Sequence, residues 1–339
     1  MARGRTKAEL SRDVVPRCCS AYGLLEGSRL RFQSVDMIVR PRPNIFSLIF
    51  ILRGSILPTI TPHILCVLIV SACVVIWYHF FPASFRNVST APFTLLGLAL
   101  SIFLGFRNNV CYERWWEGRR QWGQLIAETR SLTREFLVLL PDDMALRQRC
   151  VRRLVAFAHA LRNQLRDGDD GKTQDWLPED EKACVAKSRC QPDAIQRLQS
   201  AELCKLVRAG KLNDIPYTVL AQRLQAMTII QAACERLHTT PTPFTYTLLL
   251  HRTAWLFCLL LPFGLVGTIG LGTPILTAIL AYSFFGLDAL GEELEEPFGS
   301  TQNALPLDAM VRNIEIAVGE ALGHVPLPEP LRPRNFILE

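Results

Sequence analysis

Along this chain the hydrophobic and polar positions fall into long, well separated blocks. Charge is almost absent from four windows, residues 56–81, 92–106, 244–266 and 270–290, whereas residues 107–240 are dense in Arg, Lys, Asp and Glu. At about 1.5 Å per residue, three of the apolar windows reach the roughly 30 Å of a bilayer's hydrocarbon and predict membrane-spanning helices. The window opening at Pro92 covers only about 22 Å on the same measure before Arg107 stops it. Pro58 and Pro62 near the start of the first window, and Trp77, Tyr78, Phe80 and Phe81 at its end, fit a span closed by an interfacial aromatic belt.

The polar block has its own period. Leu125, Thr129, Leu132 and Phe136 recur at helical spacing, and Pro141-Asp142-Asp143 predicts a break after them. DGDDGKTQD at 167–175 predicts a loop. Shorter helices are expected over 179–238, punctuated by Pro192, Gly210 and Asn213-Asp214-Ile215-Pro216, and TTPTP at 239–243 ends the block. No stretch alternates with the period of two that strands require. The predicted class is an all-α membrane protein with four transmembrane helices and a large helical region outside the membrane.

Composition sharpens this picture in two ways. The chain is 49% hydrophobic and 20% charged with a formal net charge of +6, and its basic residues flank one end of each apolar window. The two opposite connections hold only Arg86, so the positive-inside rule places the N-terminus, the long middle and the C-terminus in the cytoplasm. The location implied is a plasma membrane, crossed several times. That arrangement accounts for the net charge without nucleic acid. Of eleven cysteines, Cys66, Cys73 and Cys258 lie in apolar windows and Cys184, Cys190, Cys204 and Cys234 lack C-x-x-C spacing, so reduced or buried thiols are expected. Residues 1–36 lack an apolar core of signal-peptide type and read as a disordered tail or a start-site extension. The remaining parts are 37–106, with an N-terminal segment and the first two spans; 107–240, the helical region; 241–290, the last two spans; and 291–339, a segment ending in the extended, Pro-rich PLPEPLRPR.

The short apolar run separates into stripes at four-residue steps. Gly97, Ser101 and Gly105 form a small-residue row of the kind that lets helices approach closely in membranes. Such a row implies a helix pressed against it, and a segment surrounded by protein need not match the lipid thickness. The run can also continue as helix past Arg107. Leu98, Ile102 and Phe106 form the adjacent row. That row fits lipid contact or core packing, and it equally fits a pore wall in which copies from several subunits make a dry collar. Spacing does not choose between these.

Several colinear blocks do bear on the choice: MIVRPRPN at 37–44, APFTLLGLALSIFLGFRNN at 91–109, RWWEGRRQWG at 114–123, AGKLNDIPY at 209–217, TTPTPFTYTLLLHRT at 239–253 and GEELEEPFG at 291–299. Together they resemble the bestrophin family in its bacterial branch, from Met37 to about Pro330. The resemblance implies a homopentameric ion channel. In that fold Leu98, Ile102 and Phe106 would form an apolar pore neck, with Leu98 where the family usually carries Ile or Phe. Ile215 would form a second, cytoplasmic aperture. Animal members bind calcium through acidic residues after a Pro-Phe-Gly turn; here Ser300-Thr301-Gln302-Asn303 follows that turn, so no such clasp is implied. Glu292, Glu293, Glu295 and Glu296 precede it and are expected to pair with basic residues of the same or the next subunit.

Other chemistry is thin. An EF-hand begun at Asp167 would place Lys172 and Pro178 where Gly and Glu are needed, so DGDDG reads as a solvated loop. Cys234 and His238 alone do not make a zinc site. Arg107, Asn108 and Asn109, just past Phe106, are candidates to line a wider vestibule and to bias ion charge. His251, Arg252 and His63 fall at or inside spans, where ionisable groups face protein, water or the interface. No span is read as carrying a paired acid. No hydrolase, nucleotide or metalloprotease motif appears, and no catalytic residue, metal or cofactor is expected.

The function expected is passive passage of small monovalent ions through a central pore, chloride or a cation, with the bacterial resemblance leaning to cations. Its expected partners are further copies of itself, membrane lipid and the permeant ions. The alternatives are a secondary transporter, for which no internal repeat is visible between 56–106 and 244–290, and a membrane-anchored interaction or sensor protein.

Overall fold

The computed structural model describes residues 54–85, 89–333 and 338, all within the second of two units, Ser34–Glu339. The expected tail at 1–36 and the segment MIVRPRPN lie outside the described residues. The helices are α1 (Leu57–Phe80), α2 (Ala91–Leu139), α3 (Met144–Leu165), α4 (Glu179–Ala186), α5 (Gln191–Arg208), α6 (Asp214–Thr239), α7 (Phe244–Ile269), α8 (Thr273–Glu295) and α9 (Leu307–Ala321). Among the described residues there is no strand.

Local chemistry sets the boundaries. Proline opens α1, α2 and α8 within their first two positions, where its missing N–H costs nothing. Asp143 caps α3 by accepting a hydrogen bond from the Leu146 N–H at 3.2 Å, which makes the expected break after Leu139. Gly270, at φ +59°, sits in the short 3-10 turn Gly270–Gly272 between α7 and α8.

The length problem is resolved by α2. Its apolar opening does not end at Arg107 but runs unbroken for 49 residues, about 74 Å, to Leu139. One face of this rod is buried throughout: Leu100, Leu104, Arg107, Cys111, Gly118, Trp122, Leu125, Thr129, Leu132 and Phe136 follow helical spacing from end to end. The upper part of that face joins an apolar core with Ile60 and Val67 of α1, Leu250, Ala254 and Phe257 of α7, and Phe284 and Phe285 of α8. The lower part joins a second core with Leu154, Phe157 and Leu161 of α3, Leu203 of α5, Leu220 and Met227 of α6, Phe298, and Ile314 of α9.

Three helical stretches are long and apolar enough to cross a membrane: Leu57–Phe80, Ala91–Leu139 and Phe244–Glu295. The last consists of α7 and α8 folded back on each other. His251 lies beside Asp288, Trp255 beside Phe285 at 4.9 Å between ring centroids, and Phe257 beside Phe284 at 5.2 Å, so the pairing runs antiparallel.

The lower core also buries charge, always paired. Arg153 donates to Glu181 through Nε at 2.9 Å and Nη2 at 2.5 Å, with Gln199 at 3.4 Å. His159 contacts Glu315 at 2.7 Å and Asp170 at 3.3 Å. The DGDDG loop is therefore only partly solvated. Asp167 and Asp169 are exposed, but Asp170 turns inward to His159 and Asn163.

Candidate functional site

A helix turns by about 100° per residue, so the buried row of α2 fixes where every other position points. Directly opposite Leu100 and Leu104, Leu98, Ile102 and Phe106 stand outward, 60%, 49% and 62% exposed. Three large apolar side chains thus form one outward row, about 12 Å long, on a helix whose other face is fully packed. Below Phe106 the same row continues through Asn109, Glu113 and Trp116, all exposed. The Asn109 amide donates to the Glu113 carboxylate at 3.0 Å. Glu113 escaped notice in the sequence, although its spacing of seven from Phe106 places it on the same stripe.

Two of the vestibule candidates need correction. Arg107 is 2% exposed and points the other way, into the subunit, because it continues the core row from Leu100 and Leu104. It forms an ion pair with Asp288 of α8, donates to the Asp288 carbonyl at 3.3 Å, and has Glu295 at 3.8 Å. Asn108 is turned towards α8, where a Cβ on Gly291 would come within 2.5 Å of its Oδ1. Of the three, Asn109 alone faces outward with the apolar row.

The small-residue row is split as well. A Cβ on Gly97 would meet the Phe257 ring at 3.0 Å, so Gly97 serves close packing against α7 within the subunit. Ser101 and Gly105 are exposed; the Ser101 hydroxyl donates to the Gly97 carbonyl at 2.8 Å, and nothing lies within 4 Å of a Cβ on Gly105. Ile215, in the first turn of α6, is 80% exposed.

The clamps on α2 come from residues far apart in sequence. Asp288, within the fourth apolar window, is a paired acid that sequence reading missed: besides Arg107 it takes His251 of α7 on its second oxygen at 2.7 Å. Two turns below Arg107, Arg114 donates to the carbonyls of Leu237 at 2.7 Å, Thr240 at 2.8 Å and Glu295 at 3.3 Å. These are carbonyls at the C-terminal ends of α6 and α8, where unpaired acceptors and the helix dipole both favour a cation. Tyr246 donates to the Phe103 carbonyl at 3.2 Å, and the Trp115 indole to the Asn303 carbonyl at 2.7 Å.

Two of the four acids in the run, Glu293 and Glu295, are held within the subunit, chiefly by neutral donors rather than the expected basic residues, Arg107 standing 3.8 Å from Glu295. Glu295 accepts from the Thr242 N–H at 2.9 Å, tying the end of α8 to the start of α7, and Glu293 accepts from Asn303 at 2.5 Å. His63 packs edge-on to Trp255 at 5.1 Å between ring centroids. Cys234 is buried, and His238 lies 3.7 Å from Asp167. Among the described residues no group of three His, Cys, Asp or Glu is placed to hold a metal ion.

Comparison with known proteins gives a consistent picture. The family model described as Bacterial/Fungal Bestrophin protein matches residues 37–320. A Mesorhizobium japonicum protein named voltage-dependent anion channel-forming protein mll4386 is 45% identical over 301 residues, covering 89% of this chain and 97% of its own length. The Escherichia coli protein of the same description, YneE, is 39% identical over 301 residues, covering 88% and 98%. A solved bacterial bestrophin homolog from Klebsiella pneumoniae matches the fold with a TM-score of 0.74 at 39% identity, over 78% of this chain and 98% of that one.

Proposed function

The chain belongs to the bacterial and fungal bestrophin family, and from that premise we propose that it is a passive channel whose pore is lined by α2 from five identical subunits. It is an ion channel of the membrane and not an enzyme. In this reading α1, the upper part of α2, α7 and α8 cross the inner membrane, and the lower helices stand in the cytoplasm with both termini.

The observation that carries the reading is the outward apolar row of α2. Large apolar side chains on a packed helix need a cover, and a symmetric ring of Leu98, Ile102 and Phe106 provides one by making a narrow collar. Such a collar resists ions because they cannot shed their hydration into hydrocarbon. Ser101 and Gly105, open in the single subunit, then fit the close approach of the neighbouring α2. Ile215 supplies the second narrowing at the cytoplasmic exit.

The neck carries no charge, so ion sign is set elsewhere, and two observations point in opposite directions. Five copies of Glu113 below the neck favour cations. The names of the relatives from Mesorhizobium japonicum and Escherichia coli favour anions. The test is the purified protein in a planar bilayer under a salt gradient. Discrete ohmic openings are expected, and the reversal potential reads the sign. Saturable flux without openings would refute the channel.

A further inference from the structure

We propose that Asp288 is a positioning residue for the pore: by gripping Arg107 of α2 and His251 of α7 together, it fixes the rotation of α2 and hence the face that the neck presents. The inference rests on the neck reading above and adds to it the part that aims the neck.

The position of Arg107 is the starting point. It follows Phe106 directly, yet its side chain lies in the apolar layer with 2% exposure. A buried guanidinium is costly unless its charge and its donors are met, so it comes to rest only where an acid waits. Asp288 meets it twice, with the carboxylate and with the backbone carbonyl at 3.3 Å. The second carboxylate oxygen holds His251 at 2.7 Å, so three helices converge on one side chain that is itself 11% exposed.

This contact specifies rotation in a way the apolar packing does not. Apolar contacts such as those of Leu100 and Leu104 carry no bond direction, so they resist a small rotation of α2 less sharply than a paired charge does. A turn of one step, about 100°, would draw Arg107 out of reach of Asp288 and swing Phe106 off its line. Single buried polar residues fix register in this manner in coiled coils. Gly291, one turn beyond Asp288, supports the fit: a Cβ there would lie 2.5 Å from Asn108 Oδ1 and 3.5 Å from the Arg107 guanidinium carbon, so α2 seats closely on α8 only because that position is bare.

The surrounding charges are few. Glu295 stands 3.8 Å from Arg107 and is anchored by Thr242 and by Arg114 on its carbonyl. Arg252 is the chain neighbour of His251, and His63 of α1 is engaged with Trp255 and Phe285. Glu295 reaches Arg107 only at 3.8 Å and ties Thr242, which precedes α7, whereas Asp288 takes His251 from within α7.

Unitary conductance in planar bilayers tests the inference, because it is a property of each surviving channel and does not register the fraction that misfolds. Asp288→Asn is expected to change it by about twofold or more, since the displaced Phe106 no longer completes the collar. The double variant Arg107→Gln/Asp288→Asn, which removes both charges and leaves two amides, is expected to lie nearer the wild type than Asp288→Asn alone. Should Asp288→Asn fail to assemble, Arg107→Lys retains the charge, loses the fork, and is expected to shift conductance by a smaller factor. Wild-type conductance in Asp288→Asn, or in Arg107→Lys, would overturn the proposal. Ile102→Ala/Phe106→Ala is measured beside them. A change there with none in the Asp288 variant sinks the positioning role and spares the neck; no change in either sinks both.

Discussion

Truncating the neck tests the central assignment most directly. Phe106 is 62% exposed, and since a Phe side chain presents about 150–250 Å², roughly 100–150 Å² of it faces outward. At about 25 cal/mol per Å², wetting that surface costs about 3 kcal/mol per subunit. Alanine removes most of it. With tenfold for every 1.4 kcal/mol, one subunit's share moves the ratio of wet to dry collar by about a hundredfold. Five subunits, with Ile102 shortened as well, push the balance further the same way. Ile102→Ala/Phe106→Ala is therefore expected to raise unitary conductance and open probability in planar bilayers. Because both side chains point away from the subunit's own core, neither truncation leaves a cavity there, and thermal unfolding of the assembled protein should move little. The contrasting control is Leu104→Ala, 0% exposed on the opposite face, which is expected to cost about 2–5 kcal/mol of stability. Unchanged current in the double variant, or heavy destabilisation by it with Leu104→Ala silent, would show that the two faces have been exchanged.

Three further outcomes follow from the same geometry. Ile215→Ala removes an exposed side chain and should leave stability within about 0.5 kcal/mol while altering relative permeability, read from reversal potentials under bi-ionic conditions. Arg153→Met should destabilise the lower helical region by about 3–5 kcal/mol in denaturant titration, because Glu181, 5% exposed, loses its partner. Burial raises the Asp170 carboxyl, but hydrogen bonds from Asn163 and the Lys172 N–H and the charge of His159 outweigh it and hold the group below its usual value. A lowered folded value means stabilisation that is present above the unfolded value, about 3.9, and is lost as pH falls through the folded one. Asp170→Asn should accordingly flatten the acid limb of the stability curve below about pH 4.

Much of this architecture was legible because helical period and breakers act locally. Leu125, Thr129, Leu132 and Phe136 sit on one face by spacing alone, and all four are buried. Pro141 to Asp143 ends one helix and caps the next. The same arithmetic would have removed Arg107 from the vestibule, since it lies three residues past Leu104 and seven past Leu100, on the inward stripe. Reading it as the next group below Phe106 followed the chain rather than the helix. Glu113 was legible on the same ground. The partners of Arg107 were not: Asp288 is 181 residues away, and only the folded-back α7 and α8 bring His251 to it. Arg114 was hidden for another reason, since its acceptors are backbone carbonyls, which no side-chain pattern announces.

The unbroken course of α2 has a mechanical consequence. Proline is absent from it after Pro92, and it is gripped by side chains at both ends, so it behaves as a torque shaft rather than a string of joints. On the proposed pore reading, a twist imposed where Phe136 meets the lower helices would turn Phe106, about 45 Å away along the helix.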